Sequence, residues 1–217
     1  MNQAGKTLTR MYTEHHSNGG RLGQSRLEKE RAALFTSWVG TGKRILDLGC
    51  RDATLTRHFL EGNQVLGGDI DASALKKARE QYGLEAHHID LNAGLPFADQ
   101  DFDVVILAET LEHLPYPTIT LAEIQRVLKP DGFFIGNVPL EYHLSNRFRI
   151  LRGRPFSFDP THLQHFSYKS LCALLGQYFV IEKSVALHSE RIGRLQLARF
   201  SLNLFAKNVA FYCRKKS

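Results

Sequence analysis

The segment Arg44-Ile-Leu-Asp-Leu-Gly-Cys-Arg-Asp-Ala-Thr54 runs from an apolar stretch straight into a glycine-containing turn, and Asp69 stands 20 residues beyond Gly49, after a second apolar run. That pairing suits a nucleotide-type cofactor, because a tight turn lets backbone approach the ligand and the later carboxylate accepts from ribose hydroxyls. A dinucleotide fingerprint would need glycine at positions 51 and 54, which hold Arg51 and Thr54. An adenosine bearing a zwitterionic amino acid fits better, with its carboxylate at a helix N-terminus and its ammonium against an acid such as Asp47.

A second constellation is Glu109-Thr-Leu-Glu112-His113, with a later Thr161-His-Leu-Gln-His-Phe166. On one helical turn Glu109, Glu112 and His113 would share a face. Imidazole titrates near neutrality and can take the proton of a hydroxyl acceptor, which makes His113, His143, His162 and His165 candidate bases. The catalytic set expected is His113, Glu109 and His162. His58, His87 and His88 read as ordinary packing or surface residues.

An alternating chain must position these groups. A helix is expected over Leu22–Trp38, a strand over 44–48, and a helix opened by Asp52 that carries Leu55 and Phe59. A strand at 64–68 leads to Asp71 as N-cap of a helix with Ala74, Leu75, Ala78 and Tyr82 on one face. A short strand spans His87 and Ile89. Phe102-Asp-Val-Val-Ile-Leu-Ala108 is nearly continuously apolar, as befits the centre of a parallel sheet. A helix then runs from Pro117 until Pro130 stops it. Beyond Phe133 the pattern gives a helix near 168–176, a strand near 178–187, an amphipathic, core-packing helix within 191–205, and a last strand near 207–214. Such alternation implies an open, mostly parallel α/β sheet with right-handed crossovers.

Composition bounds the rest. A chain of 217 residues that is 43% hydrophobic suits one domain, here 21–217 behind a mobile arm at 1–20. Three cysteines form no metal-type pairing and point to a reduced, cytoplasmic protein. No signal core or membrane-spanning run is evident. Twenty-eight basic against 22 acidic residues leave a net charge of +6, a mild excess that does not favour a nucleic-acid partner.

Five further blocks join Leu46-Asp-Leu-Gly-Cys50 in order: Gly67-Gly-Asp-Ile-Asp71, Ile89-Asp90, Leu95-Pro-Phe-Ala-Asp-Gln-Asp-Phe-Asp-Val-Val105, Glu109-Thr-Leu-Glu-His-Leu114 and Val127-Leu-Lys-Pro-Asp-Gly132. From Lys43 to Leu128 the chain thereby resembles the class I S-adenosylmethionine-dependent methyltransferases. The resemblance implies a doubly wound, seven-stranded sheet with its last strand antiparallel, and S-adenosylmethionine as cofactor. It assigns Asp69 to the ribose, Asp90 with Leu91 to the adenine edge and Gly49 to the methionine part. Asp47, Cys50, Arg51, Ile70 and Ala108 complete the cofactor set. The Glu-x-x-Glu-His triplet with a later histidine also looks like the divalent-metal site of two subgroups, the quinone-ring O-methyltransferases and the small-RNA 3′-end 2′-O-methyltransferases. That likeness implies Glu109, Glu112, His113 and His162 as a metal set that ranks below the catalytic one, carboxylates favouring Mg²⁺ and imidazoles a transition metal. Arg51 and Ala53 stand where the family often has glycine, and would pay strain if the turn requires positive φ.

The stretch 139–160 is too long for an ordinary connection and is expected to be an acceptor lid, assisted by Tyr12, His15 and His16. Its Arg147, Arg149, Arg152 and Arg154 alternate with Phe148, Phe156 and Phe158. That mixture suits an anionic or aromatic acceptor, or a peripheral membrane contact that collects a lipid-linked one; a solvated basic loop is the plainer alternative. The function expected is methylation of a small or lipid-linked metabolite, with a hydroxyl oxygen favoured. Metal-assisted 2′-O-methylation of RNA and a non-catalytic cofactor-binding partner or sensor are the alternatives.

Overall fold

The computed structural model describes residues 22–155, 159, 161–189, 191, 192 and 195–216. The arm expected at 1–20 lies outside them, as do Phe156 and Phe158.

The first helix, α1, spans Glu28–Val39 and buries Arg31, Ala32, Phe35 and Val39. It opens later than expected because Leu27 adopts a left-handed conformation (φ 54°), which right-handed helix cannot continue through. Strand β1 (Arg44–Leu48) and strand β2 (Gln64–Asp69) are parallel neighbours. Helix α2 (Ala72–Tyr82) opens on Asp71, whose carboxylate accepts from the Ser73 and Ala74 amides. Strand β3 (Glu85–His88), β4 (Phe102–Ala108), helix α3 (Pro117–Val127) and β5 (Leu128–Pro139) follow. After helix α4 (Leu144–Leu151) and helix α5 (Tyr168–Leu175) come β6 (Phe179–Ser189), the short hairpin β7 (Arg191–Ile192) and β8 (Leu195–Gln196), helix α6 (Leu202–Phe205) and β9 (Ala206–Lys215).

The main sheet has seven strands in the order β3-β2-β1-β4-β5-β9-β6, with β9 antiparallel to both its neighbours and the others parallel. Strand β4 occupies the middle, as its unbroken apolar run demands. Its side chains alternate between two cores: Val104 and Ile106 pack with α1 and α2 residues such as Phe35 and Leu75, while Val105 and Leu107 pack with Leu121, Phe134 and Leu171 on the other face. The chain winds outward from β1 in one direction and from β4 in the other, so a crevice opens beyond their carboxyl ends.

Two expected helices are absent. After Gly49 the chain takes left-handed φ at Arg51 (51°) and Ala53 (62°), so Asp52 starts no α-helix, and only a 3-10 turn forms over Thr56–Phe59. Between 191 and 205 the apolar residues Leu195, Ala198, Leu202 and Phe205 keep helical spacing, yet Arg191–Ile192 pairs with Leu195–Gln196 and Ser201 is extended (φ −163°), so the chain makes the β7–β8 hairpin, a 3-10 turn at Leu197–Arg199 and the four-residue α6 instead. The stretch expected as an irregular lid contains α4. No helix among the described residues is long and apolar enough to cross a membrane.

Gly136 shows how closely the sheet centre is packed. A Cβ there would lie 2.2 Å from the Leu107 carbonyl oxygen and 2.7 Å from Phe211 Cζ. Backbone cannot step aside as a flexible side chain can, so Gly136→Ala is expected to lower unfolding stability by about 2–3 kcal/mol. Equal urea midpoints for variant and parent would show that the strands can part without cost.

Candidate functional site

The crevice is a cavity of about 1570 Å³. That exceeds the roughly 300–1,000 Å³ of common small-molecule sites and leaves room for two reactants. Its wall includes Asp47, Gly49, Cys50, Arg51, Asp69, Ile70, Asp90, Leu91 and Ala108 from the strand ends, together with Glu109, His113, His143 and His162. His165 and Glu112 sit behind this wall.

The turn after β1 is built by hydrogen bonds that offset its strain. Gly49, at φ 73°, is required twice over, since a Cβ would also fall 2.2 Å from Thr110 Oγ1. Asp69 accepts the Arg51 amide at 2.8 Å on one carboxylate oxygen and the Asp71 amide at 2.8 Å on the other. Each carboxylate oxygen can accept more than one bond, so this anchoring is compatible with a diol ligand. Asp52 holds the next residues, accepting from the Gly23 amide at 2.5 Å and from Thr54 Oγ1 at 2.8 Å. The Arg51 side chain reaches the Gln24 carbonyl and Asp52. Asp90 accepts from the Asn92 amide and side chain, at 3.0 and 2.9 Å, which shapes the floor beside Leu91.

With no helix N-terminus after Gly49, a ligand carboxylate must find another cation. Arg31 of α1 faces the cavity although only 4% exposed, and its Nη2 donates to Ser25 Oγ at 2.7 Å. Its buried Nε has no hydrogen-bond partner among the described residues. Burial pulls its pKa down and the charges of Glu109 and Glu112 oppose that shift. Sequence spacing gave no sign of Arg31, because helical periodicity marks the position as core.

The second constellation is rearranged. Glu109 has φ 52° and breaks away from the 3-10 turn Leu111–His113. Its carboxylate accepts from Asn137 Nδ2 and Asn208 Nδ2, both at 2.6 Å, so it is tied to β5 and β9 rather than to Glu112. The expected shared face of Glu109, Glu112 and His113 therefore does not form. Glu112, His113 and His162 do converge, with one ligand atom from each within 4.8 Å of the others. The His113 and His162 rings meet edge to face at 4.8 Å. His113 Nδ1 lies 3.1 Å from the Thr161 carbonyl, and His162 Nδ1 lies 3.0 Å from Glu141 Oε1. A carbonyl only accepts and a carboxylate prefers to, so both Nδ1 atoms donate and the acceptor nitrogen of each ring is Nε2. His165 Nδ1 donates to the other oxygen of Glu141. Glu141, buried at the end of β5, was not singled out by sequence, since nothing local links it to residues twenty positions later. Glu112 is fully buried, neither carboxylate oxygen has a hydrogen-bond partner among the described residues, and burial, with Glu109 adding, pushes its pKa well up.

Asp47 lies inside the sheet and accepts from Thr56 Oγ1 at 2.6 Å. Burial raises its pKa from 3.8 to about 7, with the Asp69 charge adding to the shift. A carboxyl raised on folding stabilises the protein fully below its unfolded value and loses that contribution as pH climbs through about 7. In cofactor-free protein, Asp47→Asn should therefore gain Tm relative to the parent, by several degrees, as pH is taken from about 5 to 8. A Tm difference independent of pH would show that Asp47 is ionised throughout that range.

Residues 46–136 match the family model described as a methyltransferase domain. The C-methyltransferase UbiE of ubiquinone and menaquinone biosynthesis from Pseudoalteromonas translucida is 36% identical over 121 residues, covering 51% of this chain and 48% of that one. The ubiquinone biosynthesis O-methyltransferase of Pasteurella multocida is 34% identical over 107 residues, covering 42% and 44%. The chain thus spans about half the length of the curated relatives it matches. Among solved structures, the 1,6-didemethyltoxoflavin-N1-methyltransferase of Burkholderia thailandensis, with S-adenosylhomocysteine bound, superposes with a TM-score of 0.68 at 18% identity over 97% of this chain and 88% of that one. The strand order and the crevice are those of the methyltransferase fold, and the likeness of residues 46–136 to a methyltransferase domain supports S-adenosylmethionine-dependent methyl transfer.

Proposed function

We propose that the protein transfers the methyl group of S-adenosylmethionine to a hydroxyl oxygen of a small or lipid-linked metabolite. The observation that carries this reading is the His113–His162 pair, whose Nε2 atoms are set as acceptors in the same cavity as Asp69 and Asp90. In the proposed complex Asp69 holds the ribose, Asp90 and Leu91 the adenine edge, Asp47 the ammonium and Arg31 the carboxylate. Cys50, Arg51, Ile70 and Ala108 shape the walls, and Gly49 gives the methionine part close access to backbone. The acceptor oxygen attacks the methyl carbon, the carbon–sulfur bond breaks to leave neutral S-adenosylhomocysteine, and the acceptor's proton passes to imidazole. Most of the rate comes from holding both reactants in line, with the base adding to it. Glu141 acts through His162 as a positioning residue. The relatives named for ubiquinone biosynthesis, one acting at carbon and one at oxygen, support an acceptor with a lipid-linked ring.

The buried, unpartnered carboxylate of Glu112 supports a second reading in which a divalent cation sits between Glu112, His113 and His162. Histidines that donate Nδ1–H to a carbonyl or carboxylate while presenting Nε2 have the outer-shell arrangement of metal ligands. Such an ion would polarise an acceptor oxygen and ionise Glu112; Glu109 would not belong to its set. This geometry also keeps 2′-O-methylation of RNA as the rival chemistry.

Calorimetric titration with S-adenosylmethionine is the decisive test. Saturable micromolar binding is expected, weakened about tenfold or more in Arg31→Met by loss of a charge-assisted pair; a folded protein that binds nothing would favour the partner or sensor reading. Once an acceptor is found, His113→Ala should bind cofactor as the parent does yet turn over about 10²-fold more slowly. Turnover abolished by a chelator and restored by one metal would instead assign His113 to the cation, and equal turnover in variant and parent would remove it from the chemistry.

A further inference from the structure

We propose that the outward face of α4 is a membrane-contact surface that seats the cavity mouth on an anionic bilayer. Between Glu141 and Asp159 the chain carries four arginines and no acidic residue. Asn146 marks the inner side of α4: it is buried, and its Nδ2 donates to the Glu141 carbonyl at 2.8 Å. At 100° per residue, Leu144, Phe148 and Leu151 lie on the opposite side, with Arg147 and Arg152 flanking them. Phe148 is 51% exposed, Leu151 79% and neighbouring Ile150 46%, while Tyr142 just ahead is 41% exposed. A helix that turns its apolar stripe away from the core, rimmed by guanidinium groups, has the reverse of the usual pattern for a surface helix. It matches the interfacial arrangement, in which apolar side chains enter the acyl boundary and arginines meet lipid phosphates.

The surface is continuous with the site. Phe148, Arg149 and Arg152 also line the cavity that His113 and His162 line, so a headgroup held at this helix lies at the rim of the same site. That link to an acceptor rests on the methyl-transfer reading, whereas the membrane contact stands without it. A nucleic-acid surface would use the arginines too, but it has no use for an outward Leu151 or an exposed Ile150. With only two helical turns, the contact is expected to be weak and reversible.

Flotation with vesicles of phosphatidylcholine, with and without phosphatidylglycerol, tests the proposal on the full chain. The parent should bind the anionic vesicles and lose them at high salt. Ile150→Gln with Leu151→Gln, and separately Arg147→Gln with Arg154→Gln, should each lower that binding about tenfold or more. Absence of binding by folded parent, or binding that the Ile150/Leu151 pair leaves intact, would overturn the proposal. So would tighter binding to a single-stranded RNA oligonucleotide that only the arginine pair weakens. S-adenosylmethionine titrations of the same variants should match the parent; lost vesicle binding with intact cofactor binding leaves the methyl-transfer reading untouched, and the reverse result removes that reading alone.

Discussion

Asp69 accepts the Arg51 amide on one carboxylate oxygen and the Asp71 amide on the other, so one side chain fastens the loop after β1 to the loop after β2. The rest of the crevice depends on that tie. It holds Arg51 in a left-handed conformation that costs a non-glycine residue about 1 kcal/mol or more, and it fixes the direction in which the chain leaves each strand. Asp71, oriented by the same bond, then caps α2. Asp69, to which the proposed reading gives the ribose, is thus ordered by two backbone amides.

Charge is distributed in the cavity with the same economy. Asp47, Asp69 and Glu109 face a space bounded by apolar strand ends, and Arg31 enters it from α1. Asp69 and Glu109 accept hydrogen bonds from neighbouring amides, while burial raises the pKa of Asp47 despite its bond from Thr56 and that of Glu112, which has no donor among the described residues. A cationic, zwitterionic cofactor is a natural complement to Asp47 and Asp69 on one side and Arg31 on the other. Once its methyl has left, a sulfonium becomes a neutral thioether and loses part of that attraction, which on the proposed reading helps the product depart.

The two ends of the cavity differ in what holds them. At the β1–β2 end, order comes from backbone amides meeting carboxylates. At the β4–β5 end it comes from side chains far apart in sequence: Glu109 to Asn137 and Asn208, His113 to Thr161, and Glu141 to His162 and His165. Helix α4 extends from that second end, and its Phe148 and Arg149 line the same cavity as His113 and His162.

Sequence by itself located the seven strands of the main sheet, because their signals are local, but not the β7–β8 hairpin, and β5 opens at Leu128, ahead of the Pro130 expected to stop the preceding helix. The β-branched run Phe102–Ala108 placed the sheet centre, the capping chemistry of Asp71 placed α2, and the acids after Val65-Leu66 and Ile89 were legible as crevice residues since a parallel sheet exposes whatever follows each strand. Conformation at Arg51, Ala53 and Glu109 was not legible: a left-handed residue is chosen by the bonds its neighbours make across the fold, and those partners lie 18 residues away for Arg51 and 28 and 99 for Glu109. The same reason hid Arg31 and Glu141, whose roles come from what packs against them. Tertiary structure alone decided that Glu109 leaves the histidine cluster, that Glu112 is buried without a donor, and that α4 turns its apolar side outward, because each outcome is set by long-range contacts that no local pattern records.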